Sequence, residues 1–248
     1  MIRKMIFHFG RYMIWLRSIL SKPEKFFMYY KETMRQMDDI GIGSLKIVLI
    51  ISIFIGAVVA VQLSYQLGET LVPKWYVGYI LRDMVIIDMA PTITCLVLAG
   101  KVGSNIAAEI GGMRQKEHID AMEVMGVNTT SYLVLPKIIA GLFTTPLLVI
   151  LAAGLGIGSG YLIAIIGGYF TAAEFLQGLT TYYDAYNVFI MIIKSLVYGY
   201  IFTSVSAYHG YFVKPGSIAL GRAGTDAVVY SNILILVSDY IIATVMTG

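Results

Sequence analysis

The stretch Ile47-Val-Leu-Ile-Ile-Ser-Ile-Phe-Ile-Gly-Ala-Val-Val-Ala-Val61 decides the fold. It sits in an apolar segment, near 45–67, whose length at about 1.5 Å per residue crosses a hydrocarbon core of about 30 Å. Four more segments of this kind follow near 77–103, 132–164, 188–209 and 227–247. The third is too long for one straight span, which predicts tilt, a break near Pro146, or extension into the headgroups. Across 248 residues, 58% are hydrophobic and 13% charged, about half the charge of an ordinary soluble domain. Soluble, disordered, collagen-like and disulfide-rich classes are thereby excluded, and the single cysteine, Cys95, has no intrachain partner. The expected fold class is an all-α integral membrane protein with five transmembrane helices.

Residues 1–40 have a different composition. They hold Arg3, Lys4, Arg11, Arg17, Lys22, Lys25, Lys31 and Arg35 out of 18 cations in all. Ile2, Met5, Ile6, Phe9, Met13, Leu16, Ile19 and Leu20 recur at helical spacing with the cations on the other face, the pattern of a helix lying in the membrane interface. Pro23 breaks it, and a second amphipathic stretch runs from about Glu24 to Ile40. The expected domains are therefore an N-terminal elbow of interfacial amphipathic helices, 1–40, and a five-span domain, 41–248.

Charge sets the orientation. With a cytoplasmic N-terminus the inner side carries the basic arm, Lys46, Lys101, Arg114, Lys116, Lys137, Lys214 and Arg222, and the outside keeps Lys74 and Arg82, so the C-terminus lies outside. The outer segment 165–187 has no Lys or Arg but holds Tyr169, Phe170, Phe175, Tyr182, Tyr183 and Tyr186, an aromatic belt. In it Thr171 and Glu174 have the spacing of a capping box.

Ionisable residues inside spans are costly unless paired or wetted, which makes Asp88, Lys194 and Asp239 informative. Counted inward from the outer ends, all three fall roughly 10–18 Å below the outer surface. They are read as a structural ion pair, as a polar cavity open to the outside that meets a charged headgroup, or as both. Gly154, Gly156, Gly158 and Gly160 form two overlapping small-xxx-small pairs, a signature of close helix packing, with no Gly-Lys-Ser/Thr of a phosphate loop. His8, His118 and His209 lie apart from any Cys or carboxylate at ligand spacing, so neither a catalytic set nor a metal site is expected. The basic arm precedes a span and suits anionic headgroups better than nucleic acid.

The longest inner loop runs Glu109-Ile-Gly-Gly-Met-Arg-Gln-Lys-Glu-His-Ile-Asp-Ala-Met-Glu-Val-Met-Gly126. Ile119, Met122 and Met125 make an apolar stripe beside Glu117, Asp120 and Glu123, and Gly126 suits a helix C-cap, so a short amphipathic cytoplasmic helix is expected between spans two and three. Its acidic face would be repelled by anionic lipid, which favours docking to a protein.

The run from Asp88 through Pro91, Lys101, Ala108-Glu109-Ile110-Gly111 and Met113-Arg114 resembles the MlaE-type permeases of ABC transporters that work with MCE-domain proteins. Lys194-Ser195, Tyr198-Gly199, Gly221-Arg222-Ala223-Gly224-Thr225 and Ser238-Asp239-Tyr240 extend the likeness over nearly the whole chain. The resemblance implies a homodimeric permease that moves phospholipids between a bacterial inner membrane and a periplasmic MCE-domain protein. Its coupling helix, near 109–126, would dock through Glu109, Met113, Arg114, Glu117, Ile119, Asp120, Met122, Met125 and Gly126 onto a separate ATPase that holds the ATP and magnesium. No cofactor is then expected in this chain. The resemblance also assigns Asp88, Lys194 and Asp239 to the lipid cavity. The family usually carries Arg-Glu at Ile87-Asp88 and Arg at Lys101. Loss of the first arginine leaves the cavity less positive, and Arg82 is the candidate to compensate. The rival readings are a stand-alone secondary transporter that uses Asp88 and Asp239 as an ion relay, which predicts an internal repeat, and a lipid-modifying enzyme, which predicts a nucleophile or metal cluster. The sequence displays neither signature.

Overall fold

The computed structural model describes residues 2–19, 26–67, 73–168 and 171–247, which contain helices and turns and no strand. In order these are α1 (Ile2–Ile19), α2 (Phe26–Met37), α3 (Gly43–Leu67), α4 (Tyr76–Met84), α5 (Thr94–Leu98), α6 (Ser104–Gln115), α7 (His118–Val124), α8 (Thr129–Ile166), α9 (Ala172–Thr180), α10 (Ala185–Tyr211) and α11 (Ser217–Thr247). Widened π-helical turns at Asp38–Ile42, Val85–Ile93 and Ala99–Gly103 join α2 to α3, α4 to α5 and α5 to α6 without interruption. Five helices are thus long and apolar enough to cross a membrane: Met28–Leu67, Tyr76–Gln115, Thr129–Ile166, Ala185–Tyr211 and Ser217–Met246. The chain is an all-α integral membrane protein.

Several expected boundaries move. The second amphipathic stretch, from Met28 on, runs through the π turn at 38–42 into the first long helix, Met28–Leu67. The third span continues unbroken through Pro146 over 38 residues, so its excess length is not relieved by a break. The fifth begins ten residues earlier than expected, at Ser217 rather than 227. The break at Pro23 lies outside the described residues.

The chain divides into two compact units, one of Met1–Ile42, Leu98–Thr144 and Gly199–Ile235, the other of Gly43–Val97, Thr145–Tyr198 and Leu236–Gly248. Residues 1–42 therefore fold with later parts of the chain rather than alone. In the first unit α1 turns Trp15 against Tyr208, Tyr211 and Phe212 of the α10 end, with ring centroids 5.7, 6.0 and 6.2 Å apart. Arg11 lies 3.7 Å over the Phe212 ring, and the Tyr12 hydroxyl, whose pKa burial raises, donates to Ser204. The docked face is thus Tyr12, Trp15 and Ile19, while Met13 and Ile14 stay exposed. Lys137 of α8 is buried and joins three helices: its ammonium donates to Glu109 at 2.6 Å and to Gln36 at 2.9 Å, and Gln36 donates to Glu32. Small residues of α10 admit close neighbours: a Cβ on Gly210 would lie 2.8 Å from the Ala107 carbonyl oxygen and one on Gly103 2.7 Å from the Ser206 hydroxyl.

In the second unit the packing is backbone against backbone. A Cβ on Gly56 of α3 would collide with the Gly156 carbonyl and the Ser159 hydroxyl of α8, and one on Gly160 would meet Leu81 at 2.8 Å. The expected glycine quartet therefore splits. Gly156 and Gly160 make the crossing within the chain, whereas Gly154 and Gly158 are exposed and a Cβ there meets nothing within 4 Å. The reason is azimuth: neighbouring members of the alternating series lie about 200° apart around a helix. A second crossing pairs α4 with α9, where Gly178 sits against the Trp75 carbonyl and Gly78 against that of Phe175. The capping box forms as expected, with Thr171 Oγ1 accepting from the Glu174 amide and Glu174 accepting from the Thr171 amide, a bond that holds the Glu174 carboxyl below the usual carboxylate range.

Gly56→Ala is expected to destabilise the fold by about 1–3 kcal/mol or more, since neither carbonyl nor hydroxyl can retreat without parting α3 from α8. Gly154→Ala is expected to stay within about 1 kcal/mol of wild type. Thermal melts of the two variants in the same detergent check the contrast.

Candidate functional site

The site in the second unit grows from a sequence conflict. Pro91 lies inside a transmembrane helix, where it has no amide hydrogen to donate, and the helix answers with the widened turn Val85–Ile93. That turn carries Asp88 and Thr92, four residues apart. On α10, Lys194 and Tyr198 are likewise four apart and share one helix face. Asp239 comes from α11.

These five side chains meet. Lys194, with 0% exposure, places its ammonium 2.7 Å from Asp88 Oδ1 and 2.7 Å from Asp239 Oδ1. Tyr198 donates to Asp239 Oδ1 at 2.7 Å and Thr92 to Asp239 Oδ2 at 3.2 Å. A lone ammonium removed from water costs several kcal/mol, which good geometry to two carboxylates offsets. The depth argument from sequence thus put three residues at one level, and the structure brings them into contact. Thr92 and Tyr198 carry no hydropathy penalty and drew no notice in the sequence; their four-residue spacing from Asp88 and Lys194 is the signal that would have found them.

Arg82 goes elsewhere. Its guanidinium pairs with Asp83 at 2.9 Å and donates to the carbonyls of Leu179, Thr181 and Tyr182 at 2.8, 3.0 and 3.2 Å, flanked by the Tyr79 and Tyr183 rings. These acceptors are the carbonyls left unpaired at the end of α9, which a cation satisfies well. The arginine expected to compensate in the cavity is therefore fixed to the α9 exit and contributes no hydrogen bond to the triad.

The loop expected as one helix over 109–126 is divided in the first unit. Glu109, Met113 and Arg114 belong to α6, and only His118–Val124 form α7. Glu117, at φ +58°, makes the sharp break between them. Gly126, at φ +80°, ends α7 with its amide on the Glu123 carbonyl, the five-to-two bond of a Schellman cap, and the Val127 amide on that of Met122, its six-to-one bond. Glu109 is engaged with Lys137, and Arg114 with Asp120 at 2.8 Å and Glu123 at 3.9 Å. Glu123 also accepts from Tyr211 of α10 and Thr129 of α8. Ile119 is buried and Met122 half-buried, so these two of the apolar stripe face the chain itself. What α7 leaves free on the surface is Glu117 and His118 on one side and, at the tip, Val124 with 90% and Met125 with 71% exposure. Among the described residues no group of three or more His, Cys, Asp or Glu is placed to hold a metal ion.

Known proteins resemble this chain along its length. The family described as Permease MlaE matches residues 33–245. A "Probable ABC transporter permease protein" of Rickettsia bellii is 34% identical over 92% of this chain and 86% of its own length. The "Intermembrane phospholipid transport system permease protein MlaE" of Haemophilus influenzae is 27% identical over 93% of this chain and 88% of its own. The chloroplastic "Protein TRIGALACTOSYLDIACYLGLYCEROL 1" of Arabidopsis thaliana is 26% identical over 88% and 62%. With the family match reaching into all five long helices and a relative of similar length at 34% identity, the chain belongs to the MlaE permease family.

Proposed function

We propose that the chain is the membrane permease subunit of an ABC transporter that moves phospholipids between a bacterial inner membrane and a periplasmic MCE-domain protein, driven by a separate ATPase. Family membership supports the reading, and the observation that carries it is the construction of α7. A seven-residue helix is fastened to α6, α8 and α10 by Arg114, Glu123, Tyr211 and Thr129, and it offers solvent a small apolar tip, Val124 and Met125. Such a knob suits a groove on a protein partner and transmits that partner's movement to three long helices at once. ATP and magnesium belong to that partner; this chain supplies no cofactor site to the proposal.

In this reading the N-terminus is cytoplasmic and the C-terminus periplasmic, which places α7 beside the ATPase and the Lys194 triad in the outer half of the bilayer. The chain acts as a homodimer: Val229, Ile233, Leu236 and Tyr240 stay exposed along one side of α11 and offer a second copy an apolar face. The mechanism is mechanical. ATP binding closes the ATPase pair, α7 follows, and the spans around the dimer's lipid site shift to admit or expel a lipid whose headgroup meets the triad.

Two outcomes test this reading. Val124→Glu combined with Met125→Glu is expected to release the ATPase, with co-purification falling about tenfold or more while the permease melt is unchanged; co-purification at wild-type level sinks the docking assignment. Lys194→Met removes the ammonium that holds two helices to α10, and lipid transfer from liposomes to the MCE-domain protein is expected to fall about tenfold while the ATPase still co-purifies. Wild-type transfer by that variant would leave the triad without a part in transport.

A further inference from the structure

We propose that the Lys194 triad selects phospholipids whose headgroup carries a cationic nitrogen, such as ethanolamine or choline, over anionic headgroups such as glycerol phosphate. The inference rests on the phospholipid permease reading and adds the headgroup chemistry to it.

The argument is one of charge and placement. Two carboxylates and one ammonium sum to a net charge of −1, and Lys194 is the single cation within ion-pair distance of Asp88 and Asp239 among the described residues. The excess does not fall evenly. Asp239 is saturated, with Lys194 and Tyr198 on Oδ1 and Thr92 on Oδ2. Among the described residues Asp88 accepts from Lys194 alone, through Oδ1, and its side chain is 57% exposed. The uncompensated charge therefore sits on the one carboxylate that a headgroup can reach.

The cation, by contrast, is out of reach. Lys194 is fully buried behind its two acids, so a lipid phosphate could pair with it only by displacing one of them. Arg82 is engaged by Asp83 and three carbonyls, and the neighbour of Asp88 is the half-buried, apolar Ile87. A phosphate brought up to Asp88 meets like charge, and charges near an apolar wall interact more strongly than in bulk water. An ammonium there completes an alternating row of Asp239, Lys194, Asp88 and headgroup nitrogen, and directs the lipid phosphate away from the carboxylate.

The test presents the purified full-length permease in detergent with an equimolar mixture of palmitoyl-oleoyl phosphatidylethanolamine and phosphatidylglycerol, followed by washing and mass spectrometry of the retained lipid. The retained ratio is expected to favour the ethanolamine lipid by about fivefold over input, the factor expected of one accessible ion pair. Asp88→Asn, which preserves shape and an acceptor for Lys194, is expected to bring the ratio within about twofold of input. Ile87→Arg is expected to invert it. Melting curves confirm that both variants fold, and the wild-type ratio decides the matter even where a variant does not. A wild-type ratio at input or favouring phosphatidylglycerol, or an enrichment that survives Asp88→Asn in a folded protein, overturns the headgroup inference and leaves the permease reading standing. Retention of no phospholipid at all overturns the permease reading and this inference with it.

Discussion

An ammonium group without access to water sets the terms for the helices around it. Lys194 has 0% exposure in a helix with no other Lys, Arg, Asp or Glu, and Asp88 and Asp239, each 2.7 Å away, offset its burial. Those acids stand on two other helices, so one buried cation fixes the rotation of three at once. The widened turn around Pro91 carries both Asp88, which pairs with the lysine, and Thr92, which donates to Asp239. Separating any pair exposes a charge to an apolar medium, which gives the cluster discrete states rather than a continuum of them.

The sequence makes axial position legible and azimuth much less so. A rise of about 1.5 Å per residue is constant, which is why counting placed Asp88, Lys194 and Asp239 at one level. Which way a side chain turns depends on accumulated twist, and one π turn shifts every later residue. Arg82 is near the same helix end but turns to the carbonyls at the end of α9, and Glu109 pairs with Lys137. The alternating glycines of α8 show the same limit, since their spacing announces close packing but not which two members make it. The burial of Lys137 against Gln36 and Glu109 is not legible in the sequence, because a charge near a helix end carries no hydropathy signal that separates pairing from solvation.

Two kinds of contact recur within the units, close backbone approach at small residues and clusters of ring and polar groups. Around Gly56, Gly78, Gly156 and Gly178, missing side chains let backbones touch, the usual means of association where lipid removes the hydrophobic drive between helices. Around α1 and the end of α10, rings and polar groups do the work: Trp15, Tyr208, Tyr211 and Phe212 interlock while Tyr12 bonds Ser204. Aromatic residues with a polar edge suit the level at which a bilayer passes into water.

The left-handed backbone at Glu117 bears on stiffness. A flexible linker between α6 and α7 would absorb a push as bending, whereas here two residues, Lys116 and Glu117, make the connection, Glu117 turns it at φ +58°, and its carbonyl already accepts the Ala121 amide. At the far end the Schellman cap at Gly126 closes the helix within two residues of the Thr129 start of α8. With both joints this short and Arg114 bracing the middle, α7 has little compliance of its own. In the proposed coupling, a push on Val124 and Met125 would pass to the long helices through these short joints rather than be taken up by bending of a linker.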